Sequence, residues 1–166
     1  MKPAVEKIAI GGLKLSPELI QIRLFPIGGF PIEEHFRRLT DRQINLTGVT
    51  LDAEEGSLTG LCCISAQDRL SAQEALQSIN AQFEMQPAVG TLTIFPHQSR
   101  LDLIGRLLSA LGRWGLPVYG IASSFSSLTI TTDYAGLDDA VSAVCSIVSL
   151  PENHAPFRPE FLVKQL

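Results

Sequence analysis

The chain has 166 residues, enough for one ordinary domain or two small ones, and a chain of that size buries roughly 70% of its extended surface without staples. A hydrophobic content of 45% against 18% charge is that of a soluble globular protein, and no apolar run approaches the ~18 residues of a membrane span. The net charge of −4, with scattered basic residues, excludes a phosphate-binding nucleic-acid surface.

In chain order, MKPAVEKIAIGGLKLS lacks the basic and then apolar pattern of a signal peptide. LIQIRLF (19–25) alternates apolar and polar residues and predicts a half-buried strand that ends at Phe25-Pro26. After the Gly28-Gly29 turn, Pro31 suits the first helical position, Glu33 and Glu34 the first turn, and Ile32, Phe36 and Leu39 one helical face. INLTGVTLDA (44–53) and SLTGLCCIS (57–65) flank Glu54-Glu55-Gly56 and predict a hairpin. Ser71 and Glu74 have capping-box spacing before a second helix, with Leu76, Ile79 and Phe83 as its buried stripe. FEMQPA (83–88) predicts a short closing strand.

VGTLTIF (89–95) predicts the next strand, ending at Phe95-Pro96. A helix follows from about Ser99 to Trp114, with Leu101, Ile104, Leu108 and Leu111 on one face. GLPVYGIASSFSSLTITTD (115–133) reads as a hairpin around Ser123 to Ser127. Leu137, Val141, Val144 and Val148 lie at helical spacing behind Asp138 and Asp139. The segment FRPEFLVKQL (157–166) predicts a last strand, approached irregularly through Pro151, Pro156 and Pro159.

The chain repeats itself. Aligning Phe25-Pro26 with Phe95-Pro96 gives an offset of 70, INLTGV (44–49) with LPVYGI (116–121) gives 72, and EALQSI (74–79) with SAVCSI (142–147) gives 68. Each copy orders its elements β-α-β-β-α-β, the split βαβ unit. The expected fold class is therefore α+β: two ferredoxin-like units, 1–87 and 88–166, each an antiparallel sheet with helices on one face. Open sheet faces and edges favour packing of the copies, and of two chains.

The densest chemistry lies in TIFPHQSRLDLI (93–104). His97, Ser99 and Asp102 fail as a nucleophilic triad, because one short corner supplies no separate orienting element. Ser99 and Asp102 instead have capping-box spacing before an apolar helical stripe. His97 sits where helix amides become free, a place for an anion contact or for a plain exposed loop histidine. Arg100 is either a carboxylate clamp or a solvated side chain. His35, His97 and His154 are too dispersed for a metal site, and the adjacent Cys62 and Cys63 point to opposite faces of a strand. With Cys145 they make three cysteines, which form no disulfide framework and fit a reducing cytoplasm. Gly11-Gly12 and Gly28-Gly29 are simple turns without phosphate-loop spacing, so no cofactor is expected.

The stretch from Leu92 to Val144, LTIFPHQSRLDLIGRLLSALGRWGLPVYGIASSFSSLTITTDYAGLDDAVSAV, resembles the ACT domain, in particular the ACT copies in the regulatory part of aspartate kinases. RQINLTGV (42–49) is the first copy's counterpart of that family's strand-two start, with Asn45 at its Asn position. The resemblance implies regulatory binding of a small metabolite, usually an amino acid, between the loop after strand one and the start of strand two of a neighbour. On this chain that means Pro26, Ile27, Gly28, Gly29 and Asn45 in copy one. In copy two it means His97, Gln98, Ser99, Val118, Ser123 and Ser124. Helix amides would meet the ligand's carboxylate, and Asn45 and strand-end carbonyls its ammonium.

The family's acidic loop residue is absent from both copies, and Pro117 stands where copy one has Asn45, so the two sites cannot be equal. The expected protein is a cytoplasmic, non-enzymatic tandem ACT-like sensor. It binds an amino acid, forms a homodimer, and has no metal, cofactor, nucleic acid or membrane partner. The alternatives are a protein interaction module that uses its sheet edges, and a small enzyme built on His97 with Asp102 or Arg100.

Overall fold

The structure, a computed structural model, describes residues 6–26, 31–54, 57–96 and 100–158. Its elements are β1 (Ile8–Ala9), β2 (Gly12–Leu15), β3 (Leu19–Phe25), α1 (Ile32–Asp41), β4 (Thr47–Glu54), β5 (Ser57–Ser65), α2 (Arg69–Gln77), β6 (Gln82–Phe95), α3 (Leu101–Arg113), β7 (Gly120–Ser123), β8 (Leu128–Asp133), α4 (Leu137–Cys145) and β9 (Val148–Ser149). Two compact units result, one of residues 18–89 and one of 1–17 with 90–166. The mixed α+β class, with antiparallel sheets and helices, is as expected.

In the unit 18–89 the strands lie in the order β4-β5-β3-β6, antiparallel throughout. Ile22 faces Cys62 on β5 and Met85 on β6, and Leu24 faces Gly60 and Phe83. Alternation sends Ile20, Ile22, Leu24, Cys62 and Ile64 to one face, where they form a core with Ile32 and Leu39 of α1 and Ala72 and Leu76 of α2. Burying each large aliphatic side chain contributes about 1.5–3 kcal/mol. Phe36 packs partly buried against this core, so the predicted face of α1 is the one it uses. A bulge between Thr47 and Thr50 bends β4, and it takes a glycine, Gly48, at φ +58.

The expected start and stripe of the second helix are corrected. β5 ends in Ser65, whose Oγ accepts from the Gln67 amide at 3.3 Å and opens a 3-10 turn over Ala66–Asp68. α2 therefore starts at Arg69, and Ser71 lies inside it rather than capping it. Glu74 has its carboxylate 3.6 Å from Arg42 Nη1. The helix stops at Gln77 and the chain turns through Asn80 at φ +52, so the buried Ile79 is beyond the helix and Phe83 is on β6.

In the other unit the strand order is β2-β6-β8-β7, with β1 and β9 as a separate parallel pair. Spatially this repeats the first order, but the slot beside strand one is filled from the N-terminal segment. β2 runs antiparallel to β6, with Gly12 opposite Phe95 and Leu15 opposite Leu92. The division at 87/88 is thereby corrected in one respect: residues 6–17 pack with the second copy, not the first. Their apolar pattern explains why, since Ile8, Ile10, Leu13 and Leu15 join the core made by Leu92, Ile94, Leu103, Leu107, Leu128 and Val144. FEMQPA and VGTLTIF are one continuous strand, β6. Val148 belongs to β9, not to the last helix. Of the expected closing strand, residues 159–166 lie outside the described residues; the Phe157 carbonyl accepts from the Leu15 amide at 2.8 Å.

Candidate functional site

The first corner follows β3. Pro26 is half-buried, Ile27, Gly28 and Gly29 lie outside the described residues, and Pro31 is the N-cap of α1, in extended conformation and without a side-chain cap. Glu34 in the first turn accepts from Arg37 Nε (2.8 Å) and Nη2 (2.7 Å) and from Arg38 Nε (2.8 Å). The hydrogen bond from Arg37 holds its carboxyl below the usual carboxylate range, with a smaller contribution from Arg38. His35 is buried on the core face of α1, with Nδ1 3.3 Å from the Pro31 carbonyl and Nε2 without a partner among the described residues. Sequence reasoning weighed it only as a metal ligand, although its place three residues after Ile32 puts it on the buried stripe.

Asn45 is exposed and precedes β4. Register separates it from Pro26. Phe25 lies at the level of Thr59 and Asp52, whereas Thr47 pairs with Cys63, which pairs with Gln21. Four strand residues, about 13 Å, divide those levels, so the unit holds Pro26 and Asn45 at opposite ends of its sheet.

The second corner has the same plan. β6 ends at Phe95-Pro96; His97, Gln98 and Ser99 lie outside the described residues. The N-cap of α3 is Arg100, without a side-chain cap, which corrects the expected capping box. Asp102 instead accepts from Arg100 Nε and Nη2, both at 2.9 Å, and that pair holds its carboxyl below the usual range. The Arg100 fork thus grips a carboxylate of its own chain. Val118 is 36% exposed and precedes β7, while Ser123 closes it. Ser124 is engaged in the hairpin turn: its Oγ accepts from the Ser127 amide at 3.0 Å and lies 2.8 Å from Ser127 Oγ.

Thr93 Oγ1 is 2.9 Å from Thr129 Oγ1, which puts Phe95, two residues on, at the hairpin end. The fold thus brings the Phe95-Pro96 corner and Ser123-Ser124 to one end and leaves Val118 at the other. There Tyr119 Oη donates to Asp133 Oδ1 at 2.7 Å and Thr132 Oγ1 donates to the Pro117 carbonyl at 2.6 Å.

Cys62 and Cys63 do point to opposite faces, and both are buried. Burial pushes their thiols up to about 12 and about 11. Among the described residues, no group of three or more His, Cys, Asp or Glu is placed to hold a metal ion, and no helix is long and apolar enough to cross a membrane.

No family model matches the chain, and no curated protein does. Solved structures do. The regulatory subunit of aspartate kinase from Thermus thermophilus, in its ligand-free form, superposes with a TM-score of 0.73 at 17% identity, over 84% of this chain and 99% of that one. A putative C-terminal regulatory domain of aspartate kinase from Porphyromonas gingivalis gives 0.64 at 13% identity, over 82% and 96%. Escherichia coli aspartokinase III in complex with lysine and aspartate gives 0.64 at 13%, over 86% of this chain and 34% of that one. The fold is that of the aspartate-kinase regulatory subunits, the class to which the Leu92–Val144 stretch pointed.

Proposed function

We propose that the chain is a cytoplasmic, non-catalytic regulatory protein of ACT type that binds a free amino acid at its strand-to-helix corners and works as a homodimer. Its likeness to regulatory subunits over nearly their whole length carries the reading, because the shared fold spans 99% and 96% of those two chains. The aspartokinase III structure holds lysine and aspartate, which supports an amino acid as the ligand. The register argues for the dimer: a site made of Pro26 through Gly29 and an Asn45 needs the Asn45 of a second copy, since one unit holds the two ends apart. The free amides at the start of α1 suit the carboxylate, and Asn45 suits the ammonium. The second corner, with His97, Gln98 and Ser99, is the weaker site, because Arg100 is already satisfied by Asp102 and Ser124 by Ser127.

A thermal-shift screen of the standard amino acids tests the reading. A concentration-dependent rise in Tm with one or a few of them is expected. A flat response to every one contradicts it.

A further inference from the structure

Burial singles out one atom on α1. Among the described residues, His35 Nε2 is the buried side-chain polar atom left without a hydrogen-bond partner. The residue is 1% exposed. Thr132, buried as deeply, donates its hydroxyl to the Pro117 carbonyl. Buried polar atoms in native folds are almost always paired, so an orphan points to a missing partner. The geometry says which kind. His35 Nδ1 lies 3.3 Å from the Pro31 carbonyl oxygen. A carbonyl only accepts, so Nδ1 carries the hydrogen and Nε2 of the neutral ring is a bare acceptor. The missing partner is therefore an N–H or O–H donor.

Helical side chains lean toward the start of their helix, and the contact with Pro31 holds the imidazole there. Nε2 thus lies within about one helical pitch, 5.4 Å, of the Pro31 carbonyl. Pro31 is the N-cap of α1 and supplies no side-chain cap. The Glu34 amide donates to the Pro31 carbonyl at 3.0 Å, whereas the Ile32 and Glu33 amides have no acceptor within the helix. The Glu34 carboxylate on this turn is answered by Arg37 and Arg38. One turn of α1 therefore offers two free donors beside one buried acceptor. In the other unit the buried residues of α3 are Leu103, Leu107, Ala110 and Leu111, all apolar.

We propose that His35 is a ligand contact of the first corner: its Nε2 accepts a hydrogen bond from an N–H or O–H of the amino acid whose carboxylate the Ile32 and Glu33 amides hold. This deepens the corner reading and rests on it. It also gives the orphan a role, since the acceptor is unmet in the free protein and met on binding. A ligand without a donor at that point leaves the lone pair buried and unpaired, and is rejected. The ligand's ammonium and a side-chain hydroxyl, amide or amine share this chemistry.

Proton–nitrogen correlation spectra of the imidazole, recorded while the standard amino acids are titrated in turn, test it. The expected result is an Nε2 resonance of the unbonded type in the free protein, which moves toward the hydrogen-bonded position with the amino acid that raises Tm. His35→Leu should weaken that amino acid about tenfold or more without lowering the Tm of the free protein. The ring spectrum needs no substitution, so it decides the matter where the variant folds poorly. The desamino analogue of the ligand locates the donor: loss of the Nε2 movement assigns it to the ammonium, and survival assigns it to the side chain. An Nε2 resonance already bonded in the free protein marks a buried water or a polar neighbour and overturns the proposal. Undiminished affinity in a folded His35→Leu does the same. Movement of the Asn45 amide with Nε2 unmoved overturns the His35 contact and leaves the corner reading standing. Movement of Nε2 with Asn45 unmoved upholds the contact and counts against the second-copy Asn45. No response to any amino acid overturns both.

Discussion

Gly11 lies so close to Pro96 that a Cβ on it would collide with the pyrrolidine Cδ and sit 3.0 Å from the Phe95 carbonyl oxygen. The N-terminal segment is thereby seated on the Phe95-Pro96 corner, with Gly12 opposite Phe95 in the ladder. Gly11→Val should cost about 1–3 kcal/mol in urea denaturation, the usual range for overpacking a close contact. Gly105, inside α3, has nothing within 4 Å of its would-be Cβ. Gly105→Ala should therefore gain up to about 1 kcal/mol from helix propensity. The pair of variants separates contact from backbone preference.

The cysteines should resist modification while the chain is folded. Cys62 is fully buried and Cys63 nearly so, and Cys145 is half-buried. A thiol-reactive dye at pH 8 should label Cys145 first and the other two only with unfolding. The pH dependence follows from the direction of the shifts. A thiol whose folded value is raised from 9.0 to about 12, or to about 11, contributes stability that is intact below pH 9 and is lost as pH rises toward those values. The unfolded chain ionises there first. Cys62→Ala with Cys63→Ala should flatten the alkaline fall in Tm.

His35 keeps Nε2 buried without a partner among the described residues. An unsatisfied buried acceptor costs about 1–3 kcal/mol. His35→Leu should therefore match or exceed the parent protein in urea midpoint, while His35→Ala opens a cavity and loses roughly 2 kcal/mol. Equal destabilisation by both would mean that the imidazole has a polar partner in the folded protein.

Tyr119 and Tyr134 are the chain's two tyrosines. The hydrogen bond to Asp133 raises the Tyr119 phenol above its ordinary value of 10.0. Ultraviolet titration should show the Tyr119 phenol ionising above its ordinary value, and Asp133→Asn should lower it toward that value. The stability that this bond contributes is present below pH 10 and disappears as pH rises through the raised value.

Much of this was legible in the sequence, for identifiable reasons. The Phe-Pro corners, the strand alternation around Ile22 and Leu24, and the stripe Ile32-Phe36-Leu39 each impose one period strongly, and the structure keeps all three. What failed was local capping, the face of α3, where Leu103 and Leu107 are buried and the expected Leu108 is exposed, and long-range strand exchange. Ser71-Glu74 has the right spacing for a cap, but Ser65 takes the role because β5 ends there and a 3-10 turn intervenes. Pairing of β2 with β6 is a contact across some eighty residues, and periodicity cannot say which end of a chain supplies a strand. The alternation in IAIGGLKL could have flagged a strand pair, since Ile8, Ile10, Leu13 and Leu15 are all core residues. Of the candidate site, the corners and His97 were legible from the strand-to-helix pattern, whereas the first-corner ligand residues and Asn45 were named from resemblance. The opposite placement of Pro26 and Asn45 required the register.

Regulation by a ligand that bridges copies makes assembly and binding two faces of one equilibrium, so each must tighten the other by the same factor. Sedimentation velocity across a protein dilution series, with and without the amino acid that raises Tm, measures this directly. The predicted result is a dimer dissociation constant lowered by the ligand, with Asn45→Ala abolishing the shift. An unchanged dissociation constant at saturating ligand, or a monomer at every concentration, would contradict it.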